Sequence, residues 1–345
     1  MRKDQFEQLK AIVQGAKIKP PVALLVDSPW IPPFVGIEAM EYFTEPDKWL
    51  EANLHVVERF PDVIFIPGFW VEYGMAIEPS AHGCKVSWWK DSPPSVSPVL
   101  SDISEVSRLT VPSPQNDGLM PFVLHLQRRA QEQIAPMGYS IRIVSARGPL
   151  ALATFIRGIT EFLIDIKIEP ENSHRLLDIC TETVIRWLDA QAKNLPDVEA
   201  IFVLDDIVGL LSPADYEEFA HPYLKRIFDA FNGMLKLYHN DANIEPFAER
   251  LAETGFDILN FSHLIDAGEL YRRIGDKVVL MGNVPPLQVM AEGTPEQVRE
   301  SAKRALDGTG GRIILSAGGG TNPGTSAENI DALVQAAREW SESHG

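Results

Sequence analysis

The sequence predicts an α/β protein folded as one (β/α)8 barrel, and three features of the chain lead to that prediction. Short apolar runs recur eight times, and each ends at polar or glycine-containing residues. Helical patterns separate the runs, an alternation typical of a parallel sheet covered on both faces. Eight such units favour closure into a barrel, with an open doubly wound sheet as the alternative. The runs are VALLVD (22–27), DVIFIPG (62–68), IRIVSARG (141–148), AIFVLDD (200–206), MLKLYHND (234–241), DILNFSH (257–263), VVLMGN (278–283) and RIILSAGGG (312–320).

The segments between the runs carry helix patterns and helix start signals. Ser212-Pro213, Thr294-Pro295 and Thr325-Ser326 each place a cap residue or a proline where a helix should begin. The predicted helices span residues 47–59, 121–134, 172–193, 215–231, 244–254, 295–306 and 326–341.

One stretch interrupts this rhythm. Residues 69–120 contain a tryptophan-rich segment and two proline clusters, and we interpret them as an excursion over the barrel mouth with a small hairpin near Lys85 to Trp89. We therefore expect one domain over residues 1–345.

Composition excludes several classes of function. The formal net charge of −17 argues against nucleic acid and anionic membranes as partners, because both are bound by clustered Lys and Arg. No apolar run approaches the roughly 20 residues that span a bilayer. The N-terminal stretch lacks the apolar core of a secretion signal, and the two cysteines, Cys84 and Cys180, are too few for a disulfide framework. We therefore expect a cytoplasmic protein.

Chemically capable side chains follow the predicted strands. In a (β/α)8 barrel the active site lies at the carboxyl ends of the strands, so these side chains should converge at one mouth. The candidates by position are Asp27, Arg147, Asp205, Asp206, His239, Asp241, His263, Asn283 and the glycines at 318–320.

His239 and Asp241 stand two positions apart, so on an extended segment both side chains point to one face. That spacing suits a shared metal ion or a His–carboxylate acid–base pair. Alternatively, Asp241 caps the helix near Ile244 and His239 is a hydrogen-bonded core residue. Asp205 and Asp206 could likewise be one functional and one structural carboxylate, and we expect at least one of them to be functional.

Each of the remaining candidates has a functional and a structural interpretation. His263 could complete a site with His239 on the neighbouring strand, or be structural. Arg147 could bind a substrate carboxylate through two hydrogen bonds, or neutralise Asp205. The glycine-rich stretch could bind phosphate but lacks a P-loop lysine, which favours a tight turn lining the mouth. We take His239, Asp241, Asp205 and His263 as candidate catalytic residues, His239 and Asp241 also as candidate metal ligands, and Arg147, Asp206, Trp30, Tyr73 and Asn283 as candidate substrate-binding residues.

Several long segments resemble the uroporphyrinogen decarboxylase superfamily. The resemblance covers nearly the whole chain and implies a (β/α)8 barrel. The segments are SARGPLALATFIRGITEFLIDIKIEPENSHRLL (145–177), DDIVGLLSPADYEEFAHPYLKRI (205–227), LYHNDANIEPFAERLAETGFDILNFS (237–262), GNVPPLQVM (282–290) and SAGGGTNPGTSAENIDAL (316–333).

Departures from the superfamily's motifs narrow the implied activity. True decarboxylases carry an N-terminal segment of the type RQAGRY whose arginines bind the substrate carboxylates, whereas the matching SPWIPPFVG (28–36) has no arginine. Thiol methyltransferases of the superfamily hold zinc with His-x-Cys and a further cysteine in the last-strand loop. In this chain the His-x-Cys position is His239-Asn240-Asp241, and the last-strand loop has glycines at 318–320 and no cysteine.

What remains is a resemblance to the methyltransferase of corrinoid-dependent O-demethylase systems. It implies transfer of a methyl group from a methoxylated aromatic to the cobalt of a partner corrinoid protein, with zinc as a possible metal. The alternatives are methyl transfer from a methylated corrinoid to folate or a similar acceptor, and decarboxylation of a small aromatic acid. A non-enzymatic tetrapyrrole or corrinoid carrier is a third class, but the DxHxxG motif of cobalamin carriers does not occur.

Overall fold

Eight parallel strands form the wall of a nearly closed barrel, and this confirms the predicted fold class. The computed structural model describes residues 1–26 and 29–344. The strands are β1 (Val22–Leu25), β2 (Val63–Ile66), β3 (Lys85–Ser87), β4 (Ser95–Ser97), β5 (Ile143–Arg147), β6 (Ala200–Leu204), β7 (Leu235–Asn240), β8 (Ile258–Phe261), β9 (Val279–Val284) and β10 (Ile313–Ala317). The barrel order is β2-β1-β10-β9-β8-β7-β6-β5, and β3 and β4 form a separate antiparallel pair.

Most of the helices cover the outside of this wall. The α-helices are α1 (Lys3–Val13), α2 (Ile31–Val35), α3 (Ala39–Thr44), α4 (Pro46–Arg59), α5 (Ile77–Ala81), α6 (Met120–Ile134), α7 (Pro149–Arg157), α8 (Ile159–Ile168), α9 (Pro170–Asn194), α10 (Pro213–Phe219), α11 (His221–Ala230), α12 (Ala248–Ala252), α13 (Ala267–Ile274), α14 (Pro295–Thr309) and α15 (Ala327–His344). Short 3-10 segments are Ile103–Arg108, Ala135–Met137, Asp206–Leu210 and Glu245–Phe247, and Pro286–Ala291 is a π-helical turn.

Strand register places three polar residues in one layer near the mouth. Arg147 pairs with Leu204, Leu204 with His239, and His239 with Asn260. Paired residues of parallel neighbours point to the same face of a sheet. Leu204 belongs to the buried apolar cluster inside the barrel, so this layer faces inward.

Helix α1 lies at the opposite end of the barrel. Its Phe6 and Leu9 are fully buried in the inner cluster, and the Gln5 side-chain amide donates to the Val63 carbonyl at the start of β2. Apolar packing fills this end, whereas the polar layer lies near the strand carboxyl ends.

Two predicted helices differ from the structure. The predicted helix at residues 215–231 is two helices, α10 and α11, which meet at Ala220. Pro222 lacks the N–H that a continuous helix would need there. The predicted helix at 244–254 is a 3-10 turn followed by the short α12.

The cap signals at Ser212 and Thr294 are present, since both side chains accept backbone N–H groups of the following helices. The hairpin expected near Lys85 is formed by β3 and β4. Over residues 1–26 and 29–344, no helix is both long enough and apolar enough to cross a membrane.

Candidate active site

Three side chains from two adjacent strand ends meet at the barrel mouth. Asp206 follows β6, while His239 and Asp241 lie at the end of β7, and one ligand atom from each lies within 4.8 Å of the others. The His239 Nε2 atom is 3.4 Å from Asp206 Oδ1, which also accepts the backbone N–H of Asp241 at 3.1 Å. The candidates His239 and Asp241 are therefore brought together, and Asp206 joins them.

The histidine is oriented by a residue that the sequence analysis missed. His239 Nδ1 lies 2.7 Å from Asn260 Oδ1, and the Asn260 amide nitrogen donates to the carbonyls of Met281 at 3.0 Å and Ala317 at 3.1 Å. Because these two carbonyls require the amide nitrogen, Oδ1 must face the imidazole and accept its Nδ1–H. In neutral His239 the Nε2 lone pair therefore points toward the carboxylates.

Two carboxylates close together favour a bound cation. Partial desolvation of the carboxyl group and the neighbouring Asp206 carboxylate raise the pKa of Asp241, although the residue is exposed at the mouth, and His239 opposes the rise. No described backbone N–H of the turn Glu245–Phe247 is capped by Asp241, and Asn243 Oδ1 accepts the N–H of Glu245 instead. His239 is buried and hydrogen-bonded, as the alternative interpretation also expected.

Asp205 lies behind the mouth and caps α7, the helix that follows the neighbouring strand β5. It is almost fully buried, and its two oxygens accept the N–H groups of Leu150 and Ala151, each at 2.9 Å. These are the second and third residues of α7, which has no side-chain cap of its own. Burial raises the pKa of Asp205 to about 8, although both N–H groups favour the ionised form.

Gly148 makes this cap possible, since a Cβ at its position would lie 2.3 Å from Asp205 Oδ2. The carbonyl of Asp205 is also held, by the Asn240 amide at 2.7 Å and the Tyr238 hydroxyl at 3.1 Å. A catalytic role for Asp205 stays a prediction, and the contacts observed are those of a structural carboxylate.

The loops after β8 and β10 form the part of the mouth beside Asp241. Gly319 has φ +144°, and a Cβ there would approach Asp241 Oδ2 to 3.1 Å, so the glycine loop lines the mouth. His263 is half-buried, and its charge lowers the pKa of Asp241. The Asn283 amide donates to the Ile265 carbonyl at 2.6 Å and thereby holds the loop that carries His263.

The other side of the mouth is formed by Arg147 and an aromatic wall. The Arg147 guanidinium lies 5.6 Å from the Trp70 ring centroid and donates to the Gly74 carbonyl at 3.2 Å. Trp70 contacts Phe202 at 6.4 Å between ring centroids, and Phe202 lies at the same distance from His239. Arg147 forms no ion pair with Asp205 among the described residues.

Trp30 and Tyr73 are placed in packed aromatic clusters. Trp30 is 1% exposed, stacks on Phe34 and donates its indole N–H to the Thr325 carbonyl at 3.0 Å. Tyr73 is buried between Phe43 and Trp88. Substrate contacts by Trp30 and Tyr73 stay predictions, and Trp70 is the partly exposed aromatic beside the polar layer. Asp27, also a candidate by position, lies outside the described residues.

The donor set suits a divalent ion with oxygen and nitrogen ligands. Asp206, His239 and Asp241 are the group found among residues 1–26 and 29–344 that could hold a metal ion. Cys84 and Cys180 are buried in the outer hydrophobic core, so the cluster offers no sulfur ligand. Carboxylate and imidazole ligands are compatible with zinc.

Comparison with known structures supports the barrel. A methyltransferase from Methanosarcina mazei matches with a TM-score of 0.84 at 24% identity, covering 98% of this chain and 99% of that one. A B12-independent methionine synthase from Shewanella sp. W3-18-1 matches with a TM-score of 0.61 at 12% identity, covering 94% and 100%. At these identities the likeness shows the fold.

Sequence comparison shows the family. The uroporphyrinogen decarboxylase (URO-D) family model matches residues 33–340. The chain is 30% identical over 281 residues to the uroporphyrinogen decarboxylase of Pseudoalteromonas translucida, covering 76% of each protein. It is 27% identical over 283 residues to that of Aeromonas salmonicida, again covering 76% of each. The chain therefore belongs to the uroporphyrinogen decarboxylase family.

Proposed function

We propose that this protein transfers a methyl group from an aryl methyl ether to the cobalt of a corrinoid carried by a partner protein. Family membership indicates an enzyme with methyltransferase-type or decarboxylase-like chemistry, and the methyltransferase likeness supports the first of these. The observation that carries the proposal is the Asp206–His239–Asp241 cluster, whose histidine presents a fixed Nε2 lone pair.

An aryl methyl ether is unreactive because its leaving group is a phenolate. A zinc or other divalent ion held by Asp206, His239 and Asp241 would act as a Lewis acid toward the ether oxygen. Oxygen and nitrogen ligands suit that task, whereas activation of a thiol acceptor is typical of sites with cysteine ligands.

The protein's own residues have three tasks in this reaction. Asn260 keeps His239 in the tautomer whose Nε2 faces the mouth. The Trp70 face and the apolar Phe202 exclude water beside the methyl group. His263, at the rim, donates a proton to the departing oxygen.

The reaction balances without a further redox partner. Cobalt(I) of the corrinoid uses one electron pair to form the Co–C bond. The C–O bond breaks with its electron pair on oxygen, which takes a proton, and the products are a phenol and methylcobalt(III).

Exposed apolar side chains at the rim support a protein partner. Met75, Leu210, Leu264 and Leu287 are all exposed large hydrophobic residues in the segments that follow barrel strands, and Leu264 is 82% exposed. A corrinoid carried on a protein must be delivered to this face, because the inner layer opens here. Apolar residues at the rim would be covered when that protein docks.

Decarboxylation of a small aromatic acid is the second candidate, favoured by the decarboxylase relatives. Uroporphyrinogen itself fits less well, because several carboxylates need several cations. Among the described residues at the mouth, the positive charge of Arg147 is offset by the two carboxylates Asp206 and Asp241.

The test is a demethylation assay with reduced cobalamin as acceptor and a panel of neutral and acidic methoxylated aromatics. Wild type should form methylcobalamin and the free phenol. His239→Ala should lose both the activity and the bound metal, whereas the exposed His125→Ala, on α6, should keep both. The proposal is contradicted if no methoxyarene reacts, and CO2 release from an aromatic acid would then select the second candidate.

A further inference from the structure

A cleft lies at the end of the barrel opposite the mouth, between the segments that lead into β1, β9 and β10. Its volume is about 530 Å³, which is within the range of small-ligand sites. Three cations line it. Lys17 and Lys19 come from the segment between α1 and β1, and Arg312 directly precedes β10. We call this cavity, with its three cations, the basic cleft.

The basic cleft has no acidic residue in its lining, although Asp and Glu outnumber Lys and Arg by 48 to 31 in the chain. Lys17, Lys19 and Arg312 form no ion pair and no hydrogen bond through their side chains with any described residue. By contrast, the nearby Lys277, which does not line the cleft, pairs with Glu253 at 3.0 Å. Cations gathered in a cavity without counter-ions create a positive potential that attracts an anion.

The helix ends around the basic cleft do not account for its cations. Cations near a helix C-terminus often pair with the last carbonyls, and α1, α13 and α14 all end here. Backbone N–H groups of the following turns already donate to such carbonyls, in the pairs Gly15–Ile12, Gly275–Tyr271 and Gly311–Leu306. The three cations therefore keep their N–H donors free for a ligand.

Aromatic side chains form one side of the basic cleft. The Trp340 indole N–H donates to Asp307 Oδ1 at 2.8 Å, and the His344 ring stacks on Trp340 with 4.3 Å between the centroids. Gly311 lets the indole lie against the turn before β10, since a Cβ there would be 2.3 Å from Trp340 Cη2. Tyr271 is partly exposed, and its hydroxyl has no partner among the described residues. An aromatic ring can pack against this side while anionic groups on the same ligand reach the cations.

The basic cleft is separate from the candidate active site. Val279, the first residue of β9, lines the cleft, whereas Val284 ends this six-residue strand near the mouth. A strand of that length spans roughly 16 Å. The buried inner cluster of the barrel lies between the two ends. A ligand in the cleft therefore does not contact Asp206, His239 or Asp241, and it is not the methyl donor.

We propose that the basic cleft binds a nucleotide, a phosphorylated ligand with an aromatic base. Its phosphates bind Lys17, Lys19 and Arg312, because phosphate groups carry several negative charges and accept hydrogen bonds from both lysine and arginine. Its base packs against Tyr271 and Trp340, in the part of the cavity that phosphate groups alone would leave empty. This site does not depend on the proposed methyl transfer.

The test measures the binding of ADP, pyrophosphate and adenosine to the protein by calorimetry. ADP should bind wild type roughly tenfold or more tightly than pyrophosphate or adenosine, since only ADP contacts both the cations and the aromatic side. ADP should also raise the melting temperature. Tyr271→Leu should remove much of the advantage of ADP over pyrophosphate and leave pyrophosphate binding unchanged.

Charge variants locate the phosphates. The triple variant Lys17→Gln/Lys19→Gln/Arg312→Gln should weaken ADP binding roughly 100-fold or more, because it removes every cation that the phosphates contact. Melting without ligand shows that this variant is folded. The matched control removes the same charge from exposed cations outside the cleft and should bind ADP as wild type does: Lys85→Gln/Arg128→Gln/Arg175→Gln.

The inference is overturned if ADP fails to bind wild type, or if the triple variant binds ADP as tightly as the matched control. Equal affinities of wild type for ADP and pyrophosphate would overturn the assignment of a nucleotide. Neither measurement uses a methoxyarene or cobalamin, so failure here leaves the methyl-transfer proposal intact, and failure of methyl transfer leaves the nucleotide site intact.

Discussion

Asn260 accepts the Nδ1–H of His239 at 2.7 Å, and this single contact decides which nitrogen of the imidazole faces the barrel mouth. The Asn260 amide cannot rotate to offer its nitrogen instead, since that nitrogen donates to two main-chain carbonyls. The contact links an inward-facing residue of β8 to the neighbouring strand β7, so the candidate metal ligand is oriented by the barrel wall itself.

Replacing Asn260 by leucine should weaken metal binding without removing a ligand. The imidazole would lose the acceptor that fixes its tautomer, and partners of this kind are worth about 10- to 100-fold in metal affinity. Zinc affinity measured by competition with a chromogenic chelator checks this. Asn116→Leu, on an exposed loop, should leave the affinity unchanged. Equal affinities for wild type and Asn260→Leu would show that Asn260 does not orient the ligand.

The adjacent carboxylates Asp205 and Asp206 should respond differently to alanine substitution. Asp205→Ala leaves the N–H groups of Leu150 and Ala151 buried without an acceptor, and should lower the free energy of unfolding by roughly 2–4 kcal/mol. Asp206→Ala removes a partly exposed ligand and should lower metal affinity with little loss of stability.

Chemical denaturation and chelator competition on the same two variants check this division. A wild-type-like unfolding midpoint for Asp205→Ala would contradict the capping role of Asp205. Unchanged metal affinity in Asp206→Ala would contradict its role as a ligand.

Gly148→Ala should destabilise the protein through the same cap. The new Cβ would lie 2.3 Å from Asp205 Oδ2, so the carboxylate must withdraw from the start of α7, at a cost of about 1–3 kcal/mol. Gly320→Ala is the matched control, since no described atom lies within 4 Å of a Cβ there. Thermal unfolding should show a lower melting temperature for Gly148→Ala than for Gly320→Ala, and equal values would refute the steric argument.

His82 should make the protein acid-sensitive. Its Nε2 lies 3.2 Å from Thr183 Oγ1, whose own proton goes to the Ile179 carbonyl, so Nε2–H is the donor. His82 Nδ1 is buried without a partner among the described residues, and burial lowers the pKa of His82 to about 4.

The unfolded chain, with an ordinary histidine pKa near 6.5, then binds more protons than the native state between about pH 4 and 6.5. Stability should therefore fall as pH falls through this window, by about 2 kcal/mol at pH 5. Denaturation of wild type and His82→Leu between pH 7 and 4.5 checks this. The loss of stability at low pH should be absent from His82→Leu and should remain in His125→Leu. Parallel pH profiles for wild type and His82→Leu would contradict the assignment.

Particular residues show how far the sequence could predict the site. His239 and Asp241 were chosen because residues two apart on a strand share a face, and Asp206 because it directly follows the preceding strand, β6. Asn260 was missed because it stands within an apolar strand, two positions before the strand's polar end. Trp70 could not be chosen from the other loop aromatics because its exposure depends on the turn at Gly68 and Phe69.

The sequence by itself determined the barrel, its eight strands and several of the residues that gather at one mouth. These follow from local periodicity, which depends only on neighbours along the chain. Tertiary structure decided that Asp206, and not Asp205, joins His239 and Asp241. It also decided which nitrogen His239 presents to the mouth and that Arg147 forms no ion pair with a described carboxylate. Each of these depends on atoms from strands or helices far apart in sequence, and no local pattern records which backbone N–H or carbonyl will be within hydrogen-bonding distance.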